Sequence, residues 1–117
     1  MRLLFALLPL VAPLTPYPAQ AHAILLGGTP APGATVPSGP LDLRLRYNSR
    51  IDKGRSRLTL TAPDHTQATL PIAPGAVPDV LNSSANLSPG AYVLRWQVLA
   101  VDGHITRGDV AFTVAAP

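Results

Sequence analysis

Leu41-Asp42-Leu43-Arg44-Leu45-Arg46-Tyr47 alternates apolar and polar residues without a break, and only one regular structure has a period of two. In an extended strand successive side chains point to opposite faces. Leu41, Leu43, Leu45 and Tyr47 therefore share one face, and Asp42, Arg44 and Arg46 the other. A helix would scatter the same leucines around its circumference. After the turn Ser88-Pro89-Gly90, the residues Tyr92, Leu94, Trp96 and Val98 alternate against Val93, Arg95, Gln97 and Leu99. Both of those faces are largely apolar, which predicts a strand lying centrally in its sheet. Shorter runs read as further strands: Ile24 to Leu26, closed by Gly27-Gly28-Thr29-Pro30; Ser56 to Thr61; Ala68 to Ile72; Val80 to Leu87; and Val110 to Val114. Fourteen prolines and nine glycines punctuate these runs, with Pro30 to Pro40 as a long connection and Pro63-Asp64-His65 as a turn. No window carries an amphipathic helical period. About seven short strands predict an all-β fold, an antiparallel Greek-key sandwich or barrel of immunoglobulin-like kind.

The first residues are expected to contribute nothing to that fold. Met1-Arg2 is a positive start, Leu3 to Ala12 an apolar run broken by Pro9, and Ala19-Gln20-Ala21 a small-residue cleavage signature. Together they read as a secretory signal peptide, residues 1–21, followed by one domain, residues 22–117. The apolar run is about half of what a bilayer span requires. Pro9, Pro13, Pro16 and Pro18 oppose a crossing helix, so the exported chain is not expected to be membrane-embedded. A cut after Ala23 also fits the signature, through Ala21-His22-Ala23, and would discard His22. The chain has no cysteine, so an exported domain of this kind stands on packing alone and has no thiolate to offer a metal or a substrate. Its net charge of +3 reflects sparse acids, six Asp and no Glu. The local cluster Arg50, Lys53, Arg55 and Arg57 reads as a solvated turn. With few aromatics and no recognition motif, no nucleic-acid partner is expected.

Of the three histidines, two have unusual settings. Cleavage after Ala21 would make His22 the first residue, offering a free α-amine beside its own imidazole. That amine has a reference pKa near 8, so a metal can displace its proton near neutrality. His104 follows Asp102-Gly103, a strong hairpin signal between the two best C-terminal strands. Asp102 and His104, spaced i and i+2, would point to one side of an extended chain. Combined, His22, Asp102 and His104 supply amine and imidazole nitrogens and a carboxylate oxygen. A tetragonal N/O set of this type suits Cu(II), while zinc takes the same donors in a tetrahedral arrangement. Spacing alone does not establish that the two segments meet.

Several blocks together carry a resemblance. They are His22-Ala23-Ile24-Leu25, Thr29-Pro30-Ala31-Pro32-Gly33-Ala34, Leu87 to Trp96, Val98 to Gly108 with Asp102-Gly103-His104 at its centre, and the closing Phe112-Thr113-Val114. In these the chain resembles the CopC family of periplasmic copper-binding proteins over essentially all of residues 22–117. The resemblance implies a periplasmic Greek-key β-protein that binds Cu(II) through His22, Asp102 and His104 and serves copper homeostasis or resistance. It further implies an inner-membrane copper transporter of the CopD kind as partner. Some members carry a Met-rich loop for Cu(I). Here the corresponding loop, Pro63 to Gln67, has no methionine, and the only one is Met1. A single Cu(II) site is therefore expected, with His65 as a solvent-exposed turn residue and no catalytic role for any residue.

Two other functions use the same features. A copper-dependent oxidative enzyme of the polysaccharide monooxygenase kind also combines an N-terminal His with a second His on a sandwich. Two Phe, one Trp and three Tyr give such an enzyme little surface for a glycan. A metal-free structural sandwich would show no response to copper.

Overall fold

The structure is a computed structural model that describes Pro9, residues 23–75 and residues 77–117; His22 and the expected signal peptide, Pro9 apart, lie outside the described residues. Eight strands follow in chain order: β1 (Leu25–Thr29), β2 (Thr35–Pro37), β3 (Gly39–Tyr47), β4 (Ile51–Thr61), β5 (Gln67–Leu70), β6 (Val80–Leu87), β7 (Gly90–Ala100) and β8 (Ile105–Ala115). They form two sheets, β1-β3-β6 and β2-β8-β7-β4-β5. The chain changes sheet at every connection except the hairpins β4–β5 and β7–β8. The result is a sandwich of two separate sheets, not a closed barrel.

The alternating patterns end up where their period predicts. On β3, Leu43, Leu45 and Tyr47 are buried, while Asp42, Arg44 and Arg46 are exposed. Leu94, Trp96 and Val98 of β7 meet them in the core, together with Leu58 of β4 and Val110 and Phe112 of β8. β7 lies between β8 and β4, the central place its two apolar faces called for. Tyr47 and Trp96 pack edge to face with ring centroids 5.3 Å apart, a favoured aromatic geometry. At the start of β7 the Tyr92 hydroxyl donates to the Ser88 carbonyl at 2.8 Å, which fastens the β6–β7 turn.

The strands depart furthest from the sequence expectation in three places, while β8 also begins at Ile105, before the expected Val110, and β5 ends at Leu70, before the expected Ile72. β1 continues through Gly27 and Gly28, beyond the expected end at Leu26, with a bulge after Leu25. Gly28 lies so close to the Arg44 carbonyl that a β-carbon would collide with it, so the glycine serves close strand approach and not a turn. Thr35–Pro37, inside the expected connection, pairs parallel with Thr113–Ala115. It is a strand beyond the seven expected, and among the described residues the one parallel pair in a sandwich expected to be antiparallel.

The third difference is the basic cluster, which is not a turn. Lys53, Arg55 and Arg57 lie on β4 itself, in a wide irregularity between the pairs Asp52↔Leu99 and Arg57↔Gln97. The Ser56 hydroxyl repairs the broken ladder. It donates to the Asp52 carbonyl at 2.7 Å and accepts the Leu99 N–H at 3.2 Å. The Lys53 ammonium donates to the carbonyls of Gly75 and Val77 at 3.0 and 2.8 Å, holding the β5–β6 loop. The Lys53 charge is thus engaged with backbone of the β5–β6 loop.

Candidate metal centre

The β7–β8 hairpin carries two of the expected donors, Asp102 and His104. Its ladder runs to Leu99↔Ile105, and Val101 to His104 form the connection between β7 and β8. Gly103 adopts φ 92°, a conformation that side chains with a β-carbon resist. Its N–H donates to the Ala100 carbonyl at 2.9 Å, and the Ala100 N–H donates to the His104 carbonyl at 2.9 Å. Asp102 closes the turn from within, because its Oδ1 accepts the His104 N–H at 3.2 Å. The Asp-Gly signal read from the sequence therefore marks a real turn.

Asp102 and His104 meet, although not for the reason that strand alternation supplies. They are brought together by the turn, which folds the carboxylate back over the His104 backbone. His104 Nδ1 lies 3.4 Å from Asp102 Oδ1, with the two side chains 52% and 40% exposed. With metal–ligand bonds of about 2.0–2.1 Å, one ion fits between atoms at that separation. Both groups are reachable from solvent, and the neighbouring exposed side chains Val101 and Ile105 carry no competing donor. Among the described residues no group of three or more His, Cys, Asp or Glu comes together. To hold a metal ion, Asp102 and His104 would need donors from elsewhere.

Ala23 meets β8 two residues beyond His104. Ala23 is 2% exposed and belongs to the core. Its carbonyl accepts a hydrogen bond from the Thr106 hydroxyl at 2.9 Å, across 83 positions of sequence. Thr106 is two residues beyond His104 on β8. No spacing rule could have found that contact, since it joins the first core residue to the last hairpin.

His65 is elsewhere. It occupies the β4–β5 turn at φ 69°, its N–H donating to the Ala62 carbonyl at 2.9 Å. β4 pairs Ile51 with Ala100 at one end and Thr61 with Val93 at the other, so this turn lies at the opposite end of the sheet from His104. At about 3.3 Å per strand residue the two ends are more than roughly 20 Å apart. The neighbouring Asp64 is also committed, as its Oδ1 accepts both the hydroxyl and the N–H of Thr66 at 2.6 and 3.1 Å. Those bonds hold its carboxyl below the usual range. His65 cannot share an ion with Asp102 and His104.

The CopC domain matches residues 25–115. The chain belongs to the CopC family. Protein YobA of Escherichia coli is 32% identical over 98 residues, covering 80% of this chain and 79% of that protein. Copper resistance protein C of Xanthomonas campestris pv. juglandis is 30% identical over 105 residues, covering 82% of each. The crystal structure of CopC from Methylosinus trichosporium OB3b superposes with a TM-score of 0.75 at 26% identity, covering 81% of this chain and 95% of that one. The CopC domain thus spans both sheets and the β7–β8 turn. No helix among the described residues is long and apolar enough to cross a membrane.

Proposed function

We propose that the exported protein binds one Cu(II) ion through the α-amine and imidazole of His22, the Asp102 carboxylate and the His104 imidazole. It acts as a periplasmic carrier that sequesters copper or hands it on, with an inner-membrane transporter of the CopD kind as the receiving partner. The observation that carries the reading is the Asp102–His104 pair standing two residues from Thr106, which grips the carbonyl of the residue following His22. A single nitrogen–oxygen pair is a weak metal site, and an N-terminal chelate would supply the missing nitrogens in the tetragonal set that Cu(II) prefers. Membership of a family that includes copper resistance protein C supports copper as the cargo.

The same contact bears on processing. A cut after Ala23 would remove a core residue and the acceptor of the Thr106 hydroxyl. A cut after Ala21 keeps both and exposes the His22 amine, which supports the division into a leader, residues 1–21, and a domain, residues 22–117. With Met1 the only methionine, no thioether is available for a second, Cu(I) site. A carboxylate among the donors would suit holding the ion over turning it over, so the protein is read as a carrier without catalytic activity.

The test begins with N-terminal sequencing of the exported protein, followed by Cu(II) EPR and thermal unfolding of the same sample. A ligand at a hundred times its Kd stabilises the folded state by about 2.7 kcal/mol. For a domain of this size that raises Tm by roughly 10–20 °C. Absence of any shift at saturating Cu(II), in protein that begins at His22, refutes the proposal. Reductant-driven oxidation of a glycan would replace it with an enzymatic one.

A further inference from the structure

The β1–β3 ladder starts at Leu25↔Tyr47, so the two residues before it are held by other bonds. The Ala23 carbonyl accepts the Thr106 hydroxyl at 2.9 Å. The Ile24 N–H donates to Asn48 Oδ1 at 2.7 Å, and the Ile24 carbonyl accepts the Asn48 N–H at 3.1 Å. These grips come from two separate elements. Thr106 is on β8, two residues past His104. Asn48 is in the β3–β4 connection, where the Arg50 carbonyl accepts the Val101 N–H at 3.2 Å. One connection thus binds both the start of the domain and the turn that carries Asp102 and His104.

We infer that Asn48 and Thr106 are positioning residues of the metal centre: they hold the backbone of residues 23 and 24, from which the N-terminal donor of the proposed ligand set would be presented to Asp102 and His104. The inference rests on the ligand set proposed above. Chain ends fray unless they are tied down. A ligand on a frayed end must be ordered when the ion binds, and that cost reduces affinity, whereas a pre-ordered end avoids it. In these bonds the Thr106 hydroxyl and the Asn48 amide oxygen hold backbone of residues 23 and 24. Their effect on the ion is therefore through the geometry of the N-terminal donor.

The test uses exported protein and compares Thr106→Val, Thr106→Ser, Asn48→Ala and Tyr92→Phe with the wild type by competition for Cu(II) and by EPR. Thr106→Val keeps the β-branched shape favoured in strands and removes the hydroxyl. It should weaken Cu(II) binding roughly three- to tenfold, the worth of about one hydrogen bond, and add a second EPR species. Asn48→Ala should act in the same direction, and Thr106→Ser should restore both readouts. Tyr92→Phe removes a bond of similar worth at the far end of the sheet and should change neither readout. Wild-type affinity and spectrum in Thr106→Val, or equal weakening by Tyr92→Phe, overturns the inference while the ligand set stands. Wild-type protein that takes up no Cu(II) overturns the ligand set itself, and the inference with it.

Discussion

Replacing Asp102 by Asn separates what this residue does for the fold from what it would do for a metal. In the fold its Oδ1 accepts the His104 N–H at 3.2 Å. An asparagine keeps an acceptor oxygen at that position, and Asn serves in turns as readily as Asp. The side chain is 40% exposed and fills no core space, so the stability of the metal-free protein should change by no more than about 0.5 kcal/mol. Its Tm should then move by less than about 4 °C. Metal binding should respond quite differently. A group that only orients a metal ligand is worth about 10- to 100-fold in affinity. A carboxylate bonded to the ion and contributing a full negative charge should be worth at least as much. Asp102→Asn is thus expected to weaken Cu(II) binding by about 10- to 100-fold, or roughly 1.4–2.7 kcal/mol. Competition against a chelator of known affinity measures that change, and thermal unfolding without metal measures the other. An unchanged Kd would remove the carboxylate from the ligand set. A Tm loss well beyond the stated range would show that the turn depends on the charge.

His65→Ala should leave Cu(II) affinity and EPR parameters unchanged, because the β4–β5 turn is at the other end of the sheet from His104; any loss would place a copper ligand there. Tyr47 is fully buried and its hydroxyl has no hydrogen-bond partner among the described residues, so Tyr47→Phe should be neutral or stabilising by up to about 1–3 kcal/mol in chemical denaturation, and a clear loss would reveal a partner such as a buried water. Burial also pushes the Tyr47 phenol above its ordinary value. The folded state therefore keeps a proton that the unfolded chain gives up above about pH 10. Stability present below that pH is lost as pH rises, by about 1.4 kcal/mol per unit for this group, and Tyr47→Phe should flatten that decline. Gly108 faces Trp96, whose ring occupies the space a β-carbon would need. Gly108→Ala should cost about 1–3 kcal/mol with a red shift in the emission of the single tryptophan, and wild-type stability would contradict the packing described.

Strand alternation and turn chemistry were legible in the residues because both are local. The buried and exposed faces of β3, the central place of β7, the limits of β6 and the Asp102-Gly103 turn follow from period and composition over a few positions. Where the reading failed, a local signal had been given its commonest meaning. Gly27-Gly28 resembles a turn and is a close strand contact. The cluster from Arg50 to Arg57 resembles a solvated loop and is mostly a bulged strand, sustained by Ser56 and Lys53 from within and across the fold. Asp102 and His104 were paired by spacing, but the geometry that joins them belongs to the turn.

By itself the sequence determined that this chain would be a sandwich or barrel of strands without disulfides, and that its candidate donors are His22, Asp102 and His104. The tertiary structure alone decided which strands share a sheet, that Thr35–Pro37 pairs parallel to β8, and that His65 is separated from His104 by the length of β7. It also decided that Thr106 and Asn48 receive the backbone at residues 23 and 24. The reason is physical. A side chain's face and a turn's residues depend on neighbours a few positions away. A hydrogen bond across 83 positions exists only after both sheets have packed and brought the first residues of the domain against its last hairpin.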